Sequence, residues 1–118
     1  MEKINKQYDL EERTMIFARD VRKFIKIIPK TIANIEDSKQ LVRSSGSIAA
    51  NYIEANESLG KKDFLMRIRI ARKEAKESKL WLTLIETDSD DKNLEKQRLL
   101  SEAVELMLIL SSIMRKSE

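Results

Sequence analysis

Pro29 is the only proline in 118 residues, and Gly46 and Gly60 are the only glycines. So few breakers leave no material for the many tight turns of an all-β fold, and the regular structure of such a chain has to be helical. Where the breaks fall divides the chain. Pro29 stops a first helix, because it has no N–H to give the preceding turn. Gly60 marks a second break, and the polar run Thr87-Asp88-Ser89-Asp90-Asp91-Lys92-Asn93 a third. The expected helices lie at about residues 10–28, 31–57, 61–87 and 94–115 of one domain covering 1–118. Long helices joined by short connections pack beside their chain neighbours. The expected fold is therefore all-α, an antiparallel up-down four-helix bundle.

Local signals fill in this outline. Residues 1–8 read as a loose lead, and Asp9 with Glu12 has the spacing of a capping box. Thr31 is placed to cap the second helix. Leu10, Thr14, Phe17, Val21, Phe24 and Ile28 recur as one buried face of the first helix. Ile32, Ile35, Val42, Ala49 and Ile53 read as the apolar arc of the second. Phe64, Ile68, Ala71, Ala75, Leu82 and Ile85 do the same for the third, and Leu99, Ala103, Leu106, Leu110, Ile113 and Met114 for the fourth. The third helix carries a further apolar line of Met66, Ile70, Trp81 and Leu84. A lone bundle needs one stripe per helix, so this second stripe is expected to be buried between subunits of an oligomer.

Composition narrows the chemistry. There is no Cys and no His. The chain has no disulfide framework, which suits a reducing cytoplasm, and lacks the commonest general base and metal ligand. No catalytic residue, metal or cofactor is expected. Asp88-Ser89-Asp90 has the start of a calcium loop, but the turn glycine is missing and Leu99 stands where the bidentate Glu would fall. No apolar run reaches the ~20 residues of a membrane span, and the N-terminus has no apolar signal core. A cytoplasmic protein without a membrane partner is expected.

Two polar patterns stand out. Arg43, Ser47, Asn51 and Glu54 are spaced so that they fall within an arc of about 80° on the second helix. Small residues, Gly46, Ala49 and Ala50, lie beside them. Gly46 in mid-helix costs about 1 kcal/mol relative to Ala, which points to a close helix–helix approach. We expect a semi-buried hydrogen-bond network in which Arg43 pairs with Glu54 or with Glu77 of the third helix. An enzymatic use of Glu54 and Glu77 would require both to face an open pocket.

The second pattern is charge. Residues 61–79 hold eight basic side chains and three acidic ones, a net +5, while the whole chain is +3 and the remainder −2. The excess is therefore assigned to one element. Arg69, Arg72, Lys73, Lys76 and Lys79, with Lys62 before them, share an arc of roughly 120° from which Glu74 and Glu77 are absent. Such a row suits phosphates along a backbone. No aromatic residue interleaves it, so base stacking is not indicated and binding is expected to be salt-dependent and weakly sequence-specific.

The run Leu41-Val42-Arg43-Ser44-Ser45-Gly46-Ser47-Ile48-Ala49-Ala50-Asn51-Tyr52-Ile53-Glu54 resembles the signature R-x-S-x-S-I-x-x-N-I-x-E of the 23S rRNA intervening-sequence proteins, also called four helix bundle proteins. The accessory variability determinants of diversity-generating retroelements are similar. The likeness continues through Lys62-Asp63-Phe64, Ile70 to Glu77, Trp81-Leu82, Glu102 to Leu106 and Ile109 to Ile113. One departure is Lys73-Glu74, where many members have Gly-Ser. The resemblance implies a four-helix bundle that forms a ring-like homopentamer with a basic surface. It also implies binding of RNA or DNA, or association with a reverse transcriptase, and no enzymatic activity. The expected protein is thus a non-enzymatic oligomer that contacts nucleic acid, RNA foremost, through its third helix. The alternative is an adaptor docking an acidic protein partner such as a reverse transcriptase.

Overall fold

The computed structural model describes residues 6–118, with side chains from Leu10 onward. The helices are α1 (Lys6–Ile25), α2 (Ile32–Asn56), α3 (Lys61–Leu84) and α4 (Asp90–Ser117). Each packs on its chain neighbours, and α1 returns to α4. The backbones of the diagonal pairs, α1 with α3 and α2 with α4, do not approach each other closely. Along α2 and α3 the bonded pairs are Asn34 with Glu86, Ser44 with Ser78 and Asn51 with Arg67, so rising numbers on one helix meet falling numbers on the other. Arg13 with Glu102 and Asp20 with Arg98 follow the same order across α1 and α4.

The helix ends follow local chemistry. Thr31 caps α2, its Oγ1 accepting from the Asn34 N–H at 3.1 Å. Ser89 caps α4, accepting from the Lys92 N–H at 3.3 Å. That cap extends α4 four residues upstream of its expected start, because Asp90 and Asp91 suit the positive end of a helix. The first helix starts earlier than expected, so residues 6–8 are helical rather than part of a lead. Asp9 then lies inside the helix, not at its cap, and its side chain falls outside the described residues. α1 ends at Ile25 in turn bonds, Lys26 N–H to Lys23 O and Ile27 N–H to Phe24 O, ahead of Pro29.

The core contains all six positions expected of the first helix, five on α1 and Ile28 just beyond its end. It takes Ile68, Ala71, Ala75, Leu82 and Ile85 from the α3 segment, with Phe64 half-buried at its edge. From α4 come Leu99, Ala103, Leu106 and Leu110, with Ile113 and Met114 at the margin. α2 is different. Its expected arc is not the core: Ile32 is 85% exposed, Ile53 44% and Ile35 41%. The buried side is Leu41, Ile48, Tyr52 and Ala55, with Asn34, Ser44 and Ser45 among them. These polar groups can be buried because each is bonded. Ser44 Oγ donates to Leu41 O and shares a 2.8 Å bond with Ser78 Oγ, and Ser45 Oγ donates to Val42 O at 3.2 Å. A hydroxyl on an inward face erases the hydrophobic contrast that periodicity depends on.

Candidate nucleic-acid interface

α3 presents three kinds of surface because its side chains recur at about 100° per residue. The core arc holds Ile68, Ala71, Ala75, Ser78 and Leu82. One flank holds Lys62, Arg69, Arg72, Lys73, Lys76 and Lys79, and every one of these is exposed. Among the described residues this flank makes one ion pair, Arg69 Nη2 to Glu118 Oε2 at 4.0 Å, with both side chains more than half exposed. A pair so open to water contributes little and leaves the charge available. Glu118 belongs to the end of α4, so the basic flank lies on the α4 side of α3.

The other flank faces α2. Here the expected network forms with different members. Asn51 Nδ2 donates to Ser47 Oγ and to Ser47 O, both at 2.9 Å. The cation that joins them is Arg67, whose Nη1 donates to Asn51 Oδ1 at 3.2 Å. Arg43 is exposed and, among the described residues, reaches only Gln40 Oε1, at 3.5 Å. Glu54 is exposed and Glu77 half-buried, and among the described residues neither forms an ion pair. The expected pairing of Arg43 with Glu54 or Glu77 is therefore corrected. Arg43 sits on the outer edge of α2, where water solvates it at no cost, whereas Arg67 lies on the side of α3 turned toward α2. Sequence reasoning misses Arg67 because it counts only as part of the charge run. Its offset from the arc of the other basic residues is the signal that could have found it.

Glu74 shares this flank and is half-buried. Burial pushes its carboxyl above the ordinary range, the neighbouring Glu77 pushes the same way, and Lys73 partly offsets them. Met66 and Leu84 are 46% and 49% exposed, while Ile70 and Trp81 are half-buried and Trp81 packs on the core. Gly46 sits across from α1, and the guanidinium of Arg22 lies 3.4 Å from where a Cβ would be. The close approach there is made by a side chain rather than a backbone.

A cleft of about 620 Å³ opens at the end of the bundle where α2 passes to α3. Leu10, Tyr52, Phe64 and Ile113 line it, with Arg13 and Lys116 among its polar groups. Neither Glu54 nor Glu77 lines it. Burial pushes the Tyr52 hydroxyl up. Among the described residues there is no cluster of carboxylates that could hold a metal ion. No helix there is long and apolar enough to cross a membrane.

These features define a small all-α bundle with one open basic flank and one mixed polar and apolar flank on the same helix. The family model for 23S rRNA-intervening sequence proteins matches residues 6–112, and the chain belongs to that family. It is also similar to a crystal structure from Bacteroides thetaiotaomicron VPI-5482, a protein of unknown function from the S23 ribosomal protein family. The two are 28% identical, the match covers 88% of this chain and 96% of that one, and the TM-score is 0.73. No curated protein matches the chain.

Proposed function

We propose that the protein is a non-enzymatic, oligomeric, cytoplasmic nucleic-acid-binding protein that contacts the phosphates of RNA through the basic flank of α3. The observation that carries this reading is the exposure of Lys62, Arg69, Arg72, Lys73, Lys76 and Lys79, of which, among the described residues, only Arg69 forms an ion pair, a long one to Glu118. Adjacent cations on one helix face repel one another, and the phosphates of a nucleic-acid backbone relieve that repulsion. Membership of a family named for an rRNA intervening sequence supports RNA as the nucleic acid. Exposed Met66 and Leu84, which border the basic row next to Lys73 on the outward side of α3, supply apolar area for subunit contacts, in a homopentamer by the resemblance. A repeated patch gains by avidity, so weak individual contacts suffice.

The test is charge reversal at Arg69, Arg72 and Lys76, followed by RNA affinity as a function of salt. Weaker affinity with unchanged helicity is expected, together with a fall of about 2 in the slope of log K against log salt, at ~0.7 for each phosphate of a single strand that is no longer neutralised. Unchanged affinity means that the flank is not the binding surface. Retention of an acidic protein partner after nuclease treatment would instead favour the adaptor role.

A further inference from the structure

We infer that the outer face of α1 is a second phosphate-contacting surface, diagonal to the one on α3. This rests on the proposal that the protein binds nucleic acid. The −2 left after subtracting residues 61–79 conceals a strongly basic stretch. Residues 19–30 hold Arg19, Arg22, Lys23, Lys26 and Lys30 against the single acid Asp20, a net +4. Asp20 does not neutralise them, because Arg98 of α4 donates to its Oδ2 at 3.0 Å. All five basic residues are exposed, and none forms an ion pair among the described residues.

Part of this charge has an internal use. Lys30 donates to the carbonyls of Ile25 and Lys26, each at 3.4 Å, at the end of α1. Arg22 donates to Ala18 O at 3.0 Å and lies over Gly46. Arg22 and Lys23 fall in the last turn of α1, where a helix favours cations. That leaves Arg19 and Lys26 without an internal role, and Lys23 with only the helix dipole. The i, i+4 spacing aligns Arg19 and Lys23 along one outward line of α1, and Lys26 follows in the turn directly after the helix, its N–H donating to Lys23 O at 3.3 Å. The inward side of the same helix is fully committed to Phe17, Val21 and Phe24.

The placement gives the row its meaning. Because α1 and α3 are diagonal, their outward faces point away from each other, separated by α2 and α4. A bundle charged on two opposite helices can hold a backbone that passes around it, or two strands at once. A membrane is the less suitable partner, since the main apolar face of α1, with Phe17, Val21 and Phe24, is buried in the core, and what stays exposed beside the row is the scattered set Met15, Ile16 and Ile27.

The test uses three variants of the full chain: Arg19→Gln/Lys23→Gln/Lys26→Gln on α1, Arg69→Gln/Arg72→Gln/Lys76→Gln on α3, and both sets combined. Glutamine keeps helix propensity, and circular dichroism checks that each variant folds. The probes are a labelled single-stranded RNA oligonucleotide and phosphatidylserine vesicles. The α1 variant is expected to bind RNA at least ~10-fold more weakly, with a salt slope shallower by about 2. The combined variant should be weaker than either set alone. Wild-type RNA affinity and slope in the α1 variant overturn the inference, as does a loss confined to the vesicles. If the α3 variant keeps wild-type affinity while the α1 variant loses it, the α3 assignment fails and this one stands. If the reverse holds, this one fails alone.

Discussion

Asn34 of α2 and Glu86 in the α3–α4 connection hold each other through two hydrogen bonds. Asn34 Nδ2 donates to Glu86 O at 2.9 Å, and Asn34 Oδ1 accepts from the Glu86 N–H at 3.0 Å. The second amide hydrogen goes to Pro29 O at 3.0 Å. One side chain, 1% exposed, thus ties the α1–α2 connection to the α3–α4 connection at one end of the bundle. Replacing it with Leu strands three backbone groups. Asn34→Leu is expected to cost about 2–4 kcal/mol, read as a lower urea midpoint with unchanged helicity. A loss below about 0.5 kcal/mol would show that water satisfies these groups.

The buried hydroxyl pair makes a sharper case. Ser44 and Ser78 share one bond across α2 and α3. Removing either hydroxyl leaves the other buried and short of its partner, at about 1–2 kcal/mol. Removing both leaves nothing unpaired there. Ser44→Ala/Ser78→Ala should therefore lose less than the two single changes summed, by at least about 0.5 kcal/mol in a double-mutant cycle. Strict additivity would mean that the two sites do not interact.

Glu74 predicts a dependence on pH. Its carboxyl lies above the ordinary value of 4.5, so the fold prefers the neutral form. The penalty is absent below the unfolded value, grows as pH rises through the raised folded value, and persists in full at neutral pH. Glu74→Gln should stabilise the protein at neutral pH, and only modestly because solvent screens a half-buried group. The advantage should vanish below pH 4.5. Thermal melts at the two pH values decide it, and a constant difference between variants refutes the assignment.

The exposed apolar flank of α3 predicts assembly. Met66 and Leu84 are nearly half exposed in the single chain, so charge there leaves the core untouched. Met66→Glu/Leu84→Glu is expected to lower the solution mass toward that of one 13.8 kDa chain, measured by light scattering, while circular dichroism stays unchanged. A mass equal to the wild type would remove this flank from the interface.

Much of this is legible in the sequence because three helices obey simple periodicity. The inward positions of α1, α3 and α4 are mostly apolar, and the basic row on α3 is long enough to define its own flank. α2 resists the same reasoning. Its inward side carries Asn34, Ser44 and Ser45, while Ile32, Ile35 and Ile53 point outward, so hydrophobic contrast indicates the wrong face. The polar network fails in a related way. Spacing places Ser47 and Asn51 together, but nothing along one helix says whether Arg43 or Arg67 will turn toward them. The basic stretch on α1 is hidden by a sum over the remaining chain.

By itself, the sequence determined the number of helices, both ends of α2, the start of α3 and the identity of three inward faces. These depend on local matters: where breakers stand, what can cap, and how apolar residues recur over a few turns. Tertiary packing alone decided the inward face of α2 and the partner of Asn51. Each of those depends on which side chain from a distant part of the chain arrives opposite. A buried hydroxyl or amide is tolerated only once its partner has been brought to it.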